Sequence, residues 1–174
     1  MCCELPDVRG RHVVLGVTGG IAVYKSCEII SRLRKLGVET HVIMTKNAAQ
    51  FVQPLTFETL TNNRCVVDTF ARDFKYEVAH ISLAKAADLI LIAPATANVI
   101  AKMAHGIADD MLSTTILATK APILLAPAMN TGMWTAAVTQ QNVQTLKARG
   151  VHFAGPEAGF LACGDTGAGR IAVT

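Results

Sequence analysis

The stretch HVVLGVTGG, residues 12–20, is a nearly continuous apolar run that empties into glycines. A run of that kind reads as a β-strand covered on both faces. IAVYKSCEIISRLRKLG (21–37) then repeats apolar residues at helical spacing and stops at Gly37, a residue suited to the C′ position. VETHVIM (38–44) is a second strand, so residues 12–44 form a βαβ unit with a right-handed crossover. DLILIAPA (88–95), APILLAPA (121–128) and VHFAG (151–155) supply three more strands. Helical patterns in ANVIAKMAHG, DMLSTTILATK and TAAVTQQNVQTLKARG fill the gaps. This alternation predicts an α/β fold, a three-layer α/β/α arrangement around an open, mostly parallel sheet. Residues 47–76 are the least regular part, expected to hold a helix and a loop at the active site.

A chain of 174 residues is long enough for one domain with its own core, and residues 1–174 are read as one. With 51% apolar and 17% charged residues, charge is sparse for a free monomer, which points to surface hidden between subunits. Buried parallel strands raise the apolar share as well. The net charge of +3 is scattered, with no basic stripe, which argues against nucleic acid. Five cysteines without C-x-x-C spacing predict free thiols and no metal site. No charged-then-apolar leader opens the chain and no apolar run could span a bilayer, so a soluble cytoplasmic protein is expected.

Ligands of open α/β sheets bind beyond the carboxyl ends of the strands. After the first strand, Gly16, Thr18, Gly19 and Gly20 lead into a helix whose N-terminus would favour an anion. The spacing matches neither a dinucleotide fingerprint nor a P-loop, and a plain βα turn would also want glycines. After the second strand come Thr45 and Lys46, donors for a phosphate, although a helix cap explains the threonine equally well. Thr96 and Asn98 follow the third strand, and Asn130 the fourth. Three strand ends sharing small polar residues favour a phosphate ligand of mononucleotide size. His80 opens a helix-like stretch, where a surface role and a catalytic base both fit. Cys163 lies in LACGDTGAGR, a composition that predicts a mobile loop able to carry a thiol to a ligand, or else an incidental cysteine in a flexible tail. Cys27 and Cys65 fall in apolar patterns and read as core.

GVTGGIAVYK, HISLAKAADLILIAPATANVIAK, GIADDMLSTT, PAMNTGMW and GFLACGDTGAGR, in this order, resemble the flavin-dependent cysteine decarboxylases. The likeness extends from about residue 12 to 170, and the pairing of P-A-M-N-x-x-M-W with L-A-C-G is its most specific part. It implies a flavodoxin-like domain that binds FMN between the subunits of a homotrimer, with further clustering into a dodecamer as the larger assembly open to it. Gly19, Gly20, Ile21, Thr45, Lys46, Pro94, Ala95, Thr96, Asn98, Ser113, Thr114 and Thr115 would cradle FMN. His80 would be the base or proton relay, Asn130 would hold the substrate carboxylate, and Cys163 would be the acid. Met133, Trp134 and Ala162 would shape the substrate pocket.

The implied substrate is phosphopantothenoylcysteine and the implied product phosphopantetheine, in coenzyme A biosynthesis. Oxidation of the thiol-bearing carbon gives a thioaldehyde that can accept the electrons left by CO2. The resulting ene-thiol is then reduced. Peptide-processing relatives lack the cysteine corresponding to Cys163 and stop at the ene-thiol. Regulatory relatives lose one or more of the histidine, asparagine and cysteine, all three of which are present here. MLSTT stands where relatives have LLTTT, and WTAAV lacks their proline. Relatives continue beyond GRIAVT, in many bacteria into a phosphopantothenate–cysteine ligase domain, so the chain reads as one domain of such a protein or as a variant form.

Overall fold

The computed structural model describes residues 7–68, 79–160, 164 and 166–172. Five parallel strands form the sheet: β1 (His12–Val17), β2 (Glu39–Met44), β3 (Leu89–Ala95), β4 (Ile123–Pro127) and β5 (His152–Phe153). Their order is β2-β1-β3-β4-β5. The chain winds outward in one direction from β1 to β2 and in the other from β3 onward, so a crevice opens between the ends of β1 and β3.

Successive strand residues point to opposite faces, and each face has its own core. Val14, Ile43, Ile90, Ile92 and Leu125 pack with Val99, Ile100, Leu112, Ile116, Val143 and Leu146. Those partners come from α4 (Ala97–His105), α5 (Met111–Ala118) and α7 (Ala137–Ala148). On the other face Leu15, Val17, Val42, Met44, Ala93 and Ala126 meet Ile30 and Phe57. These belong to α1 (Tyr24–Lys35) and α2 (Pro54–Thr61). Full coverage of both faces is why the strands read as unbroken apolar runs. α3 (Ala79–Ala86) packs Leu83 onto the first core.

The structure refines several expectations. The helix read over 21–37 begins as a 3-10 turn, Ile21–Val23, before α1. It stops as foreseen, with Gly37 at φ +75°. The single helix read into TAAVTQQNVQTLKARG is broken at Ala136, which stands at ψ 132° between α6 (Thr131–Thr135) and α7. The fifth strand shrinks to two residues. On either side of Cys163, which lies outside the described residues, β6 (Glu157–Phe160) and β7 (Thr166–Arg170) pair antiparallel. This hairpin lies against α6, since a Cβ at Gly167 would stand 2.8 Å from the Thr131 hydroxyl.

Candidate functional site

A hydroxyl ties the ends of β1 and β3 together. Buried Thr18 donates to the Pro94 carbonyl (2.7 Å) and accepts from the Thr96 N–H (3.1 Å), while the Thr96 hydroxyl lies 3.2 Å away. Thr96 in turn caps α4 by accepting from Val99 N–H. Ser26 of α1 donates to the Ala93 carbonyl at 2.7 Å. The two strand ends and the helix that follows β1 are thus fixed relative to one another.

Above them lies a cavity of about 760 Å³, a size typical of small-molecule and cofactor sites. Gly19, Gly20, Ile21 and Ala22 line it from the β1 turn, and Thr96 and Ala97 from the start of α4. Ala128, Met129, Asn130 and Met133 form the wall beyond β4. The hairpin contributes Phe160, Gly169 and Arg170, while α1 contributes Tyr24 and Lys25. Among the described lining residues two carry positive charge, Lys25 and Arg170, and none is acidic.

The β1 turn meets the requirements of an anion site. Gly20 sits in extended backbone at the N-cap of the 3-10 turn and places no side chain over its amides. Those N–H groups carry the partial positive charge of a helix start. Glycine at position 19 is required by packing: a Cβ there would stand 2.5 Å from the Asn47 Cβ and 2.9 Å from its carbonyl carbon. The turn therefore nests against the loop after β2. Position 20 faces open space, with Thr96 Cγ2 the nearest atom at 3.8 Å from a built Cβ. The cavity volume, the two cations and the bare helix start fit a phosphorylated, largely apolar ring ligand such as a flavin mononucleotide.

Asn130 is the N-cap of α6, its Oδ1 accepting from Gly132 N–H at 2.8 Å. The cap fixes the amide's orientation, and its N–H2 end is the part able to donate to an anionic group. Met133 lines the cavity, whereas Trp134 is outside the lining and packs against the first core.

Other expected residues lie elsewhere in the described chain. Thr45 uses its hydroxyl to accept from Ala48 N–H, the capping role open to it from the sequence. Lys46 lies 3.7 Å from Asp68 on the surface. Pro94 and Ala95 end β3 beneath the cavity floor. Asn98 follows in α4, outside the lining. On α5 the Ser113 hydroxyl closes a capping box with Asp110, Thr114 donates to the Asp110 carbonyl at 2.7 Å, and Thr115 to the Met111 carbonyl at 2.8 Å. Ser113 borders a separate cavity of about 220 Å³. His80 stands half-buried in the first turn of α3, also outside the lining. Ala162 and Cys163 lie outside the described residues. Cys65 is core, its thiol pushed up to about 12 by burial and by the Glu58 carboxylate; burial also raises Cys27.

Lys25, Tyr24, Phe160 and Arg170 are the charged and aromatic lining residues that sequence reasoning missed, along with the small or aliphatic Ala22, Ala97, Ala128, Met129, Gly169 and Ile171. Arg170 was legible as a cation ending a glycine-rich motif. Lys25 is one helical residue among several and carries no local signal.

Over residues 4–174 the chain matches a family model described as Flavoprotein. The coenzyme A biosynthesis bifunctional protein CoaBC of Haemophilus influenzae is 49% identical over 164 residues, 94% of this chain and 41% of that protein. Its Bacillus subtilis counterpart is 48% identical, covering 94% of this chain and 40% of the relative. The chain thus spans about two fifths of these relatives. Among solved structures, the FMN-dependent cysteine decarboxylase SpaF superposes with TM-score 0.83 at 34% identity, covering 94% of this chain and 91% of that one. A PPC decarboxylase variant complexed with pantothenoylaminoethenethiol gives TM-score 0.85 at 30% identity, covering 95% and 92%. The sheet order, the crevice above it and these matches have one conclusion: the chain belongs to the flavoprotein family.

Proposed function

We propose that this chain is an FMN-dependent decarboxylase that converts phosphopantothenoylcysteine to phosphopantetheine in coenzyme A biosynthesis. The observation that carries the reading is one cavity bringing together a bare helix start, two cations and the amide of Asn130. The kinship with CoaBC proteins and with a PPC decarboxylase supports the substrate. FMN, when bound, supplies a two-electron acceptor for the thiol-bearing carbon and returns the electrons after CO2 has left.

The chain's own residues bind, orient and move protons. The amides of Gly20, Ile21 and Ala22 hold the flavin phosphate. Thr96, tied to Thr18, fixes the neighbouring wall. Asn130 donates to the substrate carboxylate without adding a charge that would over-stabilise the ground state. Met133 and the exposed Phe160 cover the apolar length of the substrate. Cys163 protonates the ene-thiol carbon in the last step. His80 acts as base or relay.

The rim of the cavity carries Ile21, Tyr24, Met133 and Phe160, all exposed in a single copy. A homotrimer that seats a second copy there hides this apolar surface and accounts for the sparse charge. The same packing brings a neighbour's His80 and its Ser113–Thr115 segment to the ligand. Further clustering into a dodecamer, a cytoplasmic location and a phosphopantothenate–cysteine ligase, fused or separate, complete the proposal.

Mass spectrometry of phosphopantothenoylcysteine incubated with protein and FMN tests the activity. Phosphopantetheine, the substrate less CO2, is the expected product. A product lighter by two further hydrogens would remove Cys163 from the acid role, and unchanged substrate with flavin bound would overturn the assignment. Asn130→Asp keeps the α6 cap and the fold but turns the donor into a repelling carboxylate, so turnover is lost while flavin stays bound. Mixing His80→Asn and Asn130→Asp chains restores turnover if the two residues meet across a subunit contact.

A further inference from the structure

At the opposite end of the strands from the cavity, the parallel register sets His12 of β1 beside Glu39 of β2. His41, two residues on, points to the same face as Glu39. One ligand atom from each of the three lies within 4.8 Å of the others. His41 Nε2 is 3.2 Å from Glu39 Oε1, and His12 Nδ1 is 3.7 Å from Glu39 Oε2. The two imidazole rings stack with centroids 6.1 Å apart. The carboxylate thus turns one oxygen towards each ring.

His12 Nδ1 is buried and without a hydrogen-bond partner, because 3.7 Å is too long for one. An orphaned buried polar atom costs free energy unless something pairs with it. Arg11, adjacent in sequence to His12, is held by Asp88 at 2.9 Å, and Asp88 also accepts the His12 backbone N–H. That leaves the Glu39 carboxylate facing the histidines.

We propose that His12, Glu39 and His41 form a binding site for a divalent transition metal ion of the Zn2+ class, separate from the flavin cavity. Two imidazoles and one carboxylate are a borderline N/O set suited to Zn2+, and three protein ligands leave a position for water. With one donor atom from each side chain within 4.8 Å of the others, modest side-chain rotation brings all three to bonds of roughly 2.0–2.2 Å on one ion. The site clips the edge strand β2 to β1, roughly 17–20 Å along the strands from the cavity. Cysteine spacing gave no hint of it, since the ligands come together only through strand register.

The test is competition of the flavin-loaded protein against a chromophoric chelator for Zn2+, with the Co2+ form examined by absorption. Wild type takes up one Zn2+ per chain, and the Co2+ form shows d–d bands without thiolate charge transfer. His41→Ala and Glu39→Gln each weaken Zn2+ at least tenfold while keeping flavin and thermal midpoint. Glu39→Gln preserves shape and decides the matter should the alanine variant fold poorly. No uptake, equal uptake by both variants, or a thiolate band would overturn the proposal.

Discussion

Two helix starts in this chain are built in opposite ways. At α5, Asp110 accepts from Ser113 N–H at 2.8 Å, the Ser113 hydroxyl returns to the Asp110 backbone, and Lys102 pairs with the same carboxylate at 2.9 Å. Burial alone would raise the Asp110 carboxyl, but the Ser113 N–H and hydroxyl and the Lys102 ammonium outweigh it and hold it below the usual range. At the start that follows β1, Gly20 has no side chain to offer the Ile21 and Ala22 amides, and only its carbonyl takes the Val23 N–H. Every helix begins with N–H groups in need of partners. At α5 the chain supplies those partners itself, whereas at the start beside the cavity no side chain does, which leaves room for the phosphate proposed above.

The sharpest way to break this contrast is to cap the bare end. Gly20→Asp fits the extended backbone and the open space around position 20. Its carboxylate would take the amides and repel a phosphate, so flavin affinity falls roughly a hundredfold, consistent with a like-charge contact of a few kcal/mol at short range. Fluorescence titration of FMN measures it. Retained affinity would mean that the phosphate binds elsewhere. A smaller effect comes from Gly19→Ala, whose methyl must displace Asn47 backbone; overpacking of this kind costs about 1–3 kcal/mol. Chemical denaturation reads that loss, and an unchanged midpoint would show that the turn yields.

The smallest change is expected at the finished end. Asp110→Ala removes the cap and costs about 1 kcal/mol at neutral pH. Because the folded-state value of Asp110 is depressed, its contribution is complete above the unfolded value of about 3.9 and disappears as pH falls through the lower folded value. Thermal midpoints of wild type and variant should therefore converge on acidification. A constant gap down to low pH would show that the carboxylate is not what stabilises α5.

The sheet was legible because both faces of each strand are covered, so HVVLGV and LILIAPA announce themselves by composition. β5 was overestimated because its ladder with β4 stops at Phe153, beyond which Ala154 adds a single N–H to the Leu125 carbonyl. The β6–β7 hairpin escaped notice because glycines dominate it, and its position depends on Gly167 meeting Thr131, residues far apart in the chain. Asn130 and Met133 were found through motif, and the structure places both on the cavity. Lys25 and Tyr24 were not found, because a residue on an ordinary helix becomes part of a wall only when the opposite wall is built. Thr45 and Ser113 looked alike in sequence as hydroxyls near helix starts, and the geometry gives both a cap.

The hydroxyl of Thr18 has a consequence for motion. Loops above a sheet are commonly the first parts of a domain to open. Here the amide of Thr96, the first residue past β3, is held by a side chain whose own residue is almost fully buried at the end of β1. Its exchange with solvent deuterium then requires the two central strands to part, so the floor of the site keeps the timescale of the core. What binds there meets a surface already set before it arrives.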